Sequence, residues 1–142
     1  MAGKPAVLVD LNILLDVLQK REPFYNASAQ VLALIETRLV TGYIASHSLP
    51  TLFYLIRKER GVSEARAVLT NVLQILKVAP VDQTTIEQAL NLDYPDFEDA
   101  VQMMAAVQQK VEAVITRNGQ DFKPALLPVI QPVDFLASRN LK

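Results

Sequence analysis

Ala6-Val7-Leu8-Val9-Asp10-Leu11-Asn12-Ile13-Leu14-Leu15-Asp16 is the stretch from which the rest of the chain can be read. An apolar run containing two β-branched valines leads straight into an aspartate. That is the profile of a strand buried on both faces of a parallel sheet. Asp10 stands where such a strand ends, and in open α/β sheets ligands gather at the carboxyl ends of strands. Asp10 therefore has two readings: a site carboxylate, or the cap of the next helix with Asn12 sharing the task. More carboxylates on the same edge would favour the site.

Beyond Asp10 the pattern predicts a short helix over 13–19, ended by the Lys20-Arg21-Glu22-Pro23 turn. A second helix is expected from Tyr25 or Asn26 to Arg38, closed by Gly42, with a strand at Tyr43-Ile44-Ala45. Ser46 or Ser48 can cap a third helix that runs to Arg60 and stops at Gly61. Ser63 opens a fourth, with Ala67, Val68, Val72, Leu73 and Leu76 as its apolar positions. Residues 77–81 read as a third strand. Thr84 and Glu87 read as a capping box for a helix ending near Leu92. Asp96 is placed to cap a long helix whose inner face is Phe97, Ala100, Val101, Met104, Val107 and Val111. Residues 113–116 form the fourth strand, residues 129–130 a short fifth, and Asp134 begins a last helical turn at 134–138. Strands alternate with helices throughout. The expected fold is therefore α/β, one unit over residues 1–142, with a mainly parallel central sheet.

Composition narrows the function classes. The chain of 142 residues is 51% hydrophobic and 20% charged, which suits a globular core. Without cysteine it has no disulfide framework and no zinc–thiolate site. Ala6–Val9 is too short for the apolar core of a signal peptide, and no run approaches the roughly 20 residues of a membrane span. A cytoplasmic protein is expected. The net charge of −1 supplies no global attraction for nucleic acid, so such binding would need a local basic patch. Arg57, Lys58, Arg60 and Arg117 are the candidates, although 57–60 also read as a solvated helix end.

The acidic residues carry the chemistry. Asp10 ends the first strand, Asp96 and Asp99 begin the long helix, and Asp121 follows the fourth strand. A right-handed crossover arrangement can bring all of these to one edge. Clustered carboxylates repel unless a cation neutralises them. Oxygen ligands without histidine or thiol suit Mg2+ or Mn2+, which can activate water against a phosphodiester. Each residue also has a plainer role. Asp96 suits a helix cap, Asp99 an acidic first turn, Asp121 and Asp93 turns, and Asp16 a helix-terminal charge. Glu98 is expected to face solvent. His47, the sole histidine, is expected to make a local hydrogen bond. Thr116 and Asn118 either orient a carboxylate or phosphate, or shape a turn.

Together, the stretches at 7–16, at 96–100 (Asp-Phe-Glu-Asp-Ala) and at 115–122 (Ile-Thr-Arg-Asn-Gly-Gln-Asp-Phe) resemble the PIN domain family, particularly the VapC-type toxins of toxin–antitoxin pairs. Their order and spacing span nearly the whole chain. The resemblance implies a three-layer α/β/α nuclease that cleaves RNA with Mg2+ or Mn2+. Carried onto this sequence, Asp10, Asp99 and Asp121 would be catalytic and would hold the metal, with Asp96 assisting. Thr116, Asn118, Asn12, Thr51 and Arg117 would support those carboxylates or touch substrate. One position departs. The acidic residue usual early in the third helix falls here at about Thr51, which can hydrogen-bond a water but brings no charge.

The leading reading is thus a metal-dependent endoribonuclease and toxin, with RNA as substrate and a cognate antitoxin as partner. A homodimer through the third and fourth helices is expected, because Leu52, Phe53, Leu55 and Ile56 cannot all face one core. Two other classes remain open. One is a catalytically weak PIN-like module that binds RNA or protein, which Thr51 favours. The other is phosphotransfer through an aspartyl phosphate at Asp10. Against that one, Asn12 stands where a second aspartate is usual and no lysine is obvious at the end of a late strand.

Overall fold

The computed structural model describes residues 4–140. The elements in order are β1 (Ala6–Val9), α1 (Leu11–Leu18), α2 (Tyr25–Glu36), β2 (Thr41–Ala45), α3 (Ser48–Arg60), α4 (Val62–Ile75), β3 (Lys77–Ala79), α5 (Gln83–Ala89), α6 (Phe97–Gln109), β4 (Ala113–Ile115), β5 (Val129–Ile130) and α7 (Pro132–Asn140), with a 3-10 turn at Gly119–Asp121. All strand pairs are parallel and the sheet order is β3-β2-β1-β4-β5. This is the expected α/β/α arrangement.

The two faces of the sheet are covered by different helices, and β1 shows why its sequence is apolar throughout. Val7 and Val9 pack with Ile13, Val31, Leu52, Ile56, Val72 and Phe135 on the face covered by α1 to α4 and α7. Leu8 points the other way, against Ala100, Met103, Met104 and Phe122 on the face covered by α6. The chain builds outward from β1 through β2 to β3, then crosses back to lay β4 on the other side of β1. The strand order therefore reverses between β1 and β4, and the carboxyl edge at that reversal is where an open α/β sheet leaves a crevice. Asp10 lies there, its backbone N–H donating to the Ile115 carbonyl at 3.0 Å.

Several local expectations are corrected. Gly42 does not close α2; it lies inside β2, and the helix ends before the left-handed Arg38. Its role is close packing, since a Cβ there would sit 2.6 Å from Ile35 Cδ1 and 2.7 Å from Leu76 Cδ2. Gly42→Ala should therefore cost about 1–3 kcal/mol of stability by overpacking. Urea denaturation checks this, and a loss below 0.5 kcal/mol, roughly the scale of a neutral surface change, would remove the packing argument. The capping box of α5 is made by Asp82 and Thr85, not by Thr84 and Glu87. The box lies two residues earlier than expected, and its Thr85, buried, also reaches Gln108 of α6 at 2.6 Å. Phe97 is 43% exposed rather than inward, since the inner face of α6 begins at Ala100. On α4, Ala65, Val68 and Val72 are buried while Ala67 and Leu73 face out. β3 ends at Ala79 and β4 at Ile115, which leaves Thr116 in the loop, and α7 runs longer than one turn. Among the described residues no helix is long and apolar enough to cross a membrane.

Candidate active site

Asp10 takes the N-cap position of α1 but makes no cap hydrogen bond with its side chain. Instead Oδ2 accepts from the Thr116 hydroxyl at 2.8 Å, and both residues are buried. The Thr116 oxygen in turn accepts from the Asn118 backbone N–H at 3.0 Å. The loop after β4 thus fixes the orientation of the carboxylate at the end of β1.

Asp99 enters from the opposite layer, in the first turn of α6. It shares with Asp10 a pocket of about 170 Å3 that is also lined by Asn12, Thr51, Glu98 and Gln102. Its carboxyl is pushed up to about 7, first by burial and then by repulsion from Asp96, Asp10, Asp121 and Glu98. Such crowding is what an all-oxygen cation site looks like before its ion is counted.

Asp96 and Asp121 stand differently. Asp96 caps α6, its Oδ1 accepting the Glu98 N–H at 2.9 Å, so one oxygen is already engaged. Asp121 lies in the 3-10 turn, exposed, and lines a neighbouring cleft of about 590 Å3 together with Asn118, Lys123 and Gln131. That cleft is the larger, but the paired carboxylates are in the smaller pocket. Among the described residues no three acidic or imidazole side chains already converge on one ion position. Asp10 and Asp99 nevertheless fit Mg2+, which keeps several waters and is commonly held by one or two carboxylates.

The other candidates are placed as follows. Asn12 and Thr51 both line the Asp10 pocket. Asn12 Oδ1 also takes a long bond, 3.4 Å, from Arg21. Glu98 is exposed as expected, yet it borders the pocket too. His47 makes a hydrogen bond, but not the local one expected: its Nε2 lies 3.1 Å from the Glu98 carbonyl on α6, 51 residues away.

Arg117 has a different partner from the one anticipated. Its Nε and Nη2 donate to the two oxygens of Asp16 at 2.8 and 2.9 Å, and its guanidinium lies 3.9 Å over the Phe24 ring. A fork spent on a carboxylate is not free for RNA phosphate. Arg60 is likewise engaged, capping α1 through the Leu18 carbonyl at 2.7 Å. It sits with Arg57 and Lys58 at the far end of a helix about 20 Å long whose near end is the one at the pocket.

Three features were missed in the sequence. Asp16 is fully buried, bonded by Arg117 and by the Ser28 hydroxyl at 3.0 Å, and thereby ties α1 and α2 to the loop after β4. Tyr94 donates to the Pro124 carbonyl at 2.6 Å and packs edge-on to Phe122, linking the approach to α6 with the Asp121 loop. Burial, then the charge of Asp99, pushes the Tyr94 phenol up. Gln102 follows Asp99 at helical i+3 spacing, a signal that the sequence does contain.

A family model described as PIN domain matches residues 6–120. No curated protein sequence is a significant match. Among solved structures, a toxin–antitoxin complex from Klebsiella pneumoniae is similar at TM-score 0.68 and 22% identity, covering 89% of this chain and 97% of that one. VapBC2 from Rickettsia felis, bound to a promoter DNA fragment, gives TM-score 0.67 at 18% identity over 89% and 98%. Mycobacterium tuberculosis VapC20, a sarcin–ricin loop cleaving toxin, gives 0.61 at 16% over 76% and 86%. At these identities the likeness is one of fold.

Proposed function

The chain belongs to the PIN domain family, and on that premise we propose that it is a metal-dependent endoribonuclease, the toxin of a toxin–antitoxin pair. The observation that carries the reading is the pairing of Asp10 and Asp99 in one pocket at the switch point of the sheet. Solved neighbours that are toxin–antitoxin complexes, and one that cleaves the sarcin–ricin loop, support it.

Asp10, steadied by Thr116, and Asp99 would hold Mg2+ or Mn2+. When bound, the ion supplies Lewis acidity towards phosphate oxygens and lowers the pKa of water beside it. Asp121 adds negative charge from the next cleft, where Asn118 and Lys123 suit an RNA backbone phosphate. Asp96 serves chiefly by capping α6 and so aiming Asp99. Thr51 offers a neutral hydroxyl where the family usually has a carboxylate. That leaves the ion with less protein charge and is the one observation favouring a weak or purely binding module. Among the described residues no lysine lines the Asp10 pocket, which argues against aspartyl-phosphate chemistry.

Partners follow from the surface. Tyr54, Val62 and Leu73 are exposed on α3 and α4, and this is the face we assign to a homodimer. A nearby apolar groove lined by Leu14, Leu32, Val68 and Val72 is where an antitoxin segment would lie. Sedimentation of the pure protein should give the mass of a dimer at micromolar concentration; a monomer there removes the dimer. The function itself is tested by incubating the pure protein with a structured RNA. Cleavage should require Mg2+ or Mn2+, stop with chelator, and be absent in Asp99→Asn. Tight RNA binding without any cleavage would support the binding module instead.

A further inference from the structure

Gln102 is a buried polar side chain for which the mechanism above has no use. It lies one turn beyond Asp99 on α6, lines the pocket that holds Asp10 and Asp99, and is only 4% exposed. Its Nε2 is buried and has no protein acceptor among the described residues. An unpaired buried donor carries a desolvation penalty. Its neighbours Val101, Met103 and Met104 show that α6 otherwise fills buried positions with apolar side chains. An amide held against that penalty, beside two carboxylates that do not accept from it, points to an acceptor that arrives from outside.

The chemistry of the pocket narrows what that acceptor is. A carboxamide is neutral, so it adds no repulsion to Asp10 and Asp99, and its two N–H groups suit an anionic oxygen. Thr51, on α3, brings a second neutral donor to the same pocket. A phosphodiester seated beside paired carboxylates has one oxygen to share with a cation and another that needs such a donor.

We infer that Gln102 is a substrate-binding residue, its carboxamide N–H donating to a non-bridging oxygen of an RNA phosphodiester held between Asp10 and Asp99. The inference rests on the nuclease reading above. It is tested by the binding of a fluorescently labelled oligoribonucleotide on the Asp99→Asn background, where cleavage is off, alongside thermal melts. Gln102→Met keeps the bulk and removes the donor. It should weaken RNA binding about ten- to a hundredfold, the loss of one hydrogen bond to a charged oxygen. It should also melt at or above its parent, because a buried unpaired donor has gone. Gln102→Glu keeps the shape but sets a charge against the phosphate, and should weaken binding further. Unchanged affinity in Gln102→Met, or a lowered melting temperature in it with or without lost affinity, makes the amide part of the fold and overturns the inference. A wild-type protein that cleaves no RNA with Mg2+ or Mn2+ in parallel reactions fails the nuclease reading itself, and the inference with it.

Discussion

Arg117→Ala should destabilise the domain by about 3–5 kcal/mol, the cost of removing one partner of a buried ion pair. Asp16 is fully buried. Without Arg117 it keeps the Ser28 hydroxyl at 3.0 Å and a loose Arg21 contact at 3.9 Å. Neither replaces two charge-assisted bonds at 2.8 and 2.9 Å. Stacking of the guanidinium on Phe24 would be lost as well. The double variant Asp16→Leu with Arg117→Met should recover much of the loss, because a buried pair is costly mainly when half of it is left behind. Denaturant melts of the single and double variants measure both effects. A single-variant loss under 1 kcal/mol, typical of roughly the most a surface pair contributes, would show that Asp16 reaches water in solution.

This ion pair also marks the limit of what the sequence discloses. The placement of Asp10, Asp96 and Asp99 at element ends was legible because strand composition and helix-start chemistry leave a local trace there. The parallel sheet was legible for the same reason: Val7, Leu8 and Val9 are apolar on both faces. Asp16 and Arg117 are 101 residues apart, and neither position has a local feature that names its partner. Asp16 read alone is a helix-end charge and Arg117 read alone is a phosphate ligand; only the β1–β4 pairing makes them neighbours. Gly42 misled because a glycine after a helix is usually a cap, whereas its crowding comes from Ile35 and Leu76. The pocket shows the same limit: i+3 spacing could have linked Gln102 to Asp99, but its burial and its unpaired nitrogen belong to the packed structure.

Asp99→Asn should abolish metal-dependent cleavage, with a loss of at least about 100-fold, since even residues behind metal ligands cost up to that much. Its effect on stability has the opposite sign. Asp99 ionises near 3.8 in the unfolded chain and about 7 in the folded one. Between those values the native state holds a proton that the unfolded state has released. Stability of the metal-free wild type should therefore fall as pH rises from about 4 to about 7, and level off above. Asparagine keeps the shape and carries no charge, so this fall should be much flatter in Asp99→Asn, and at pH 8 the variant should melt at or above wild type. Manganese should reverse the order. An ion that binds only the folded state stabilises it by about 2.7 kcal/mol at 100 times its Kd. It should raise the wild-type melting temperature strongly and the variant's little. If Asp99 instead serves only the α6 dipole, its replacement would cost about 0.3–1 kcal/mol and leave the manganese response intact. Melts of both proteins across pH 4–8, with and without manganese, decide between the two roles. Equal manganese shifts would take Asp99 out of the metal site.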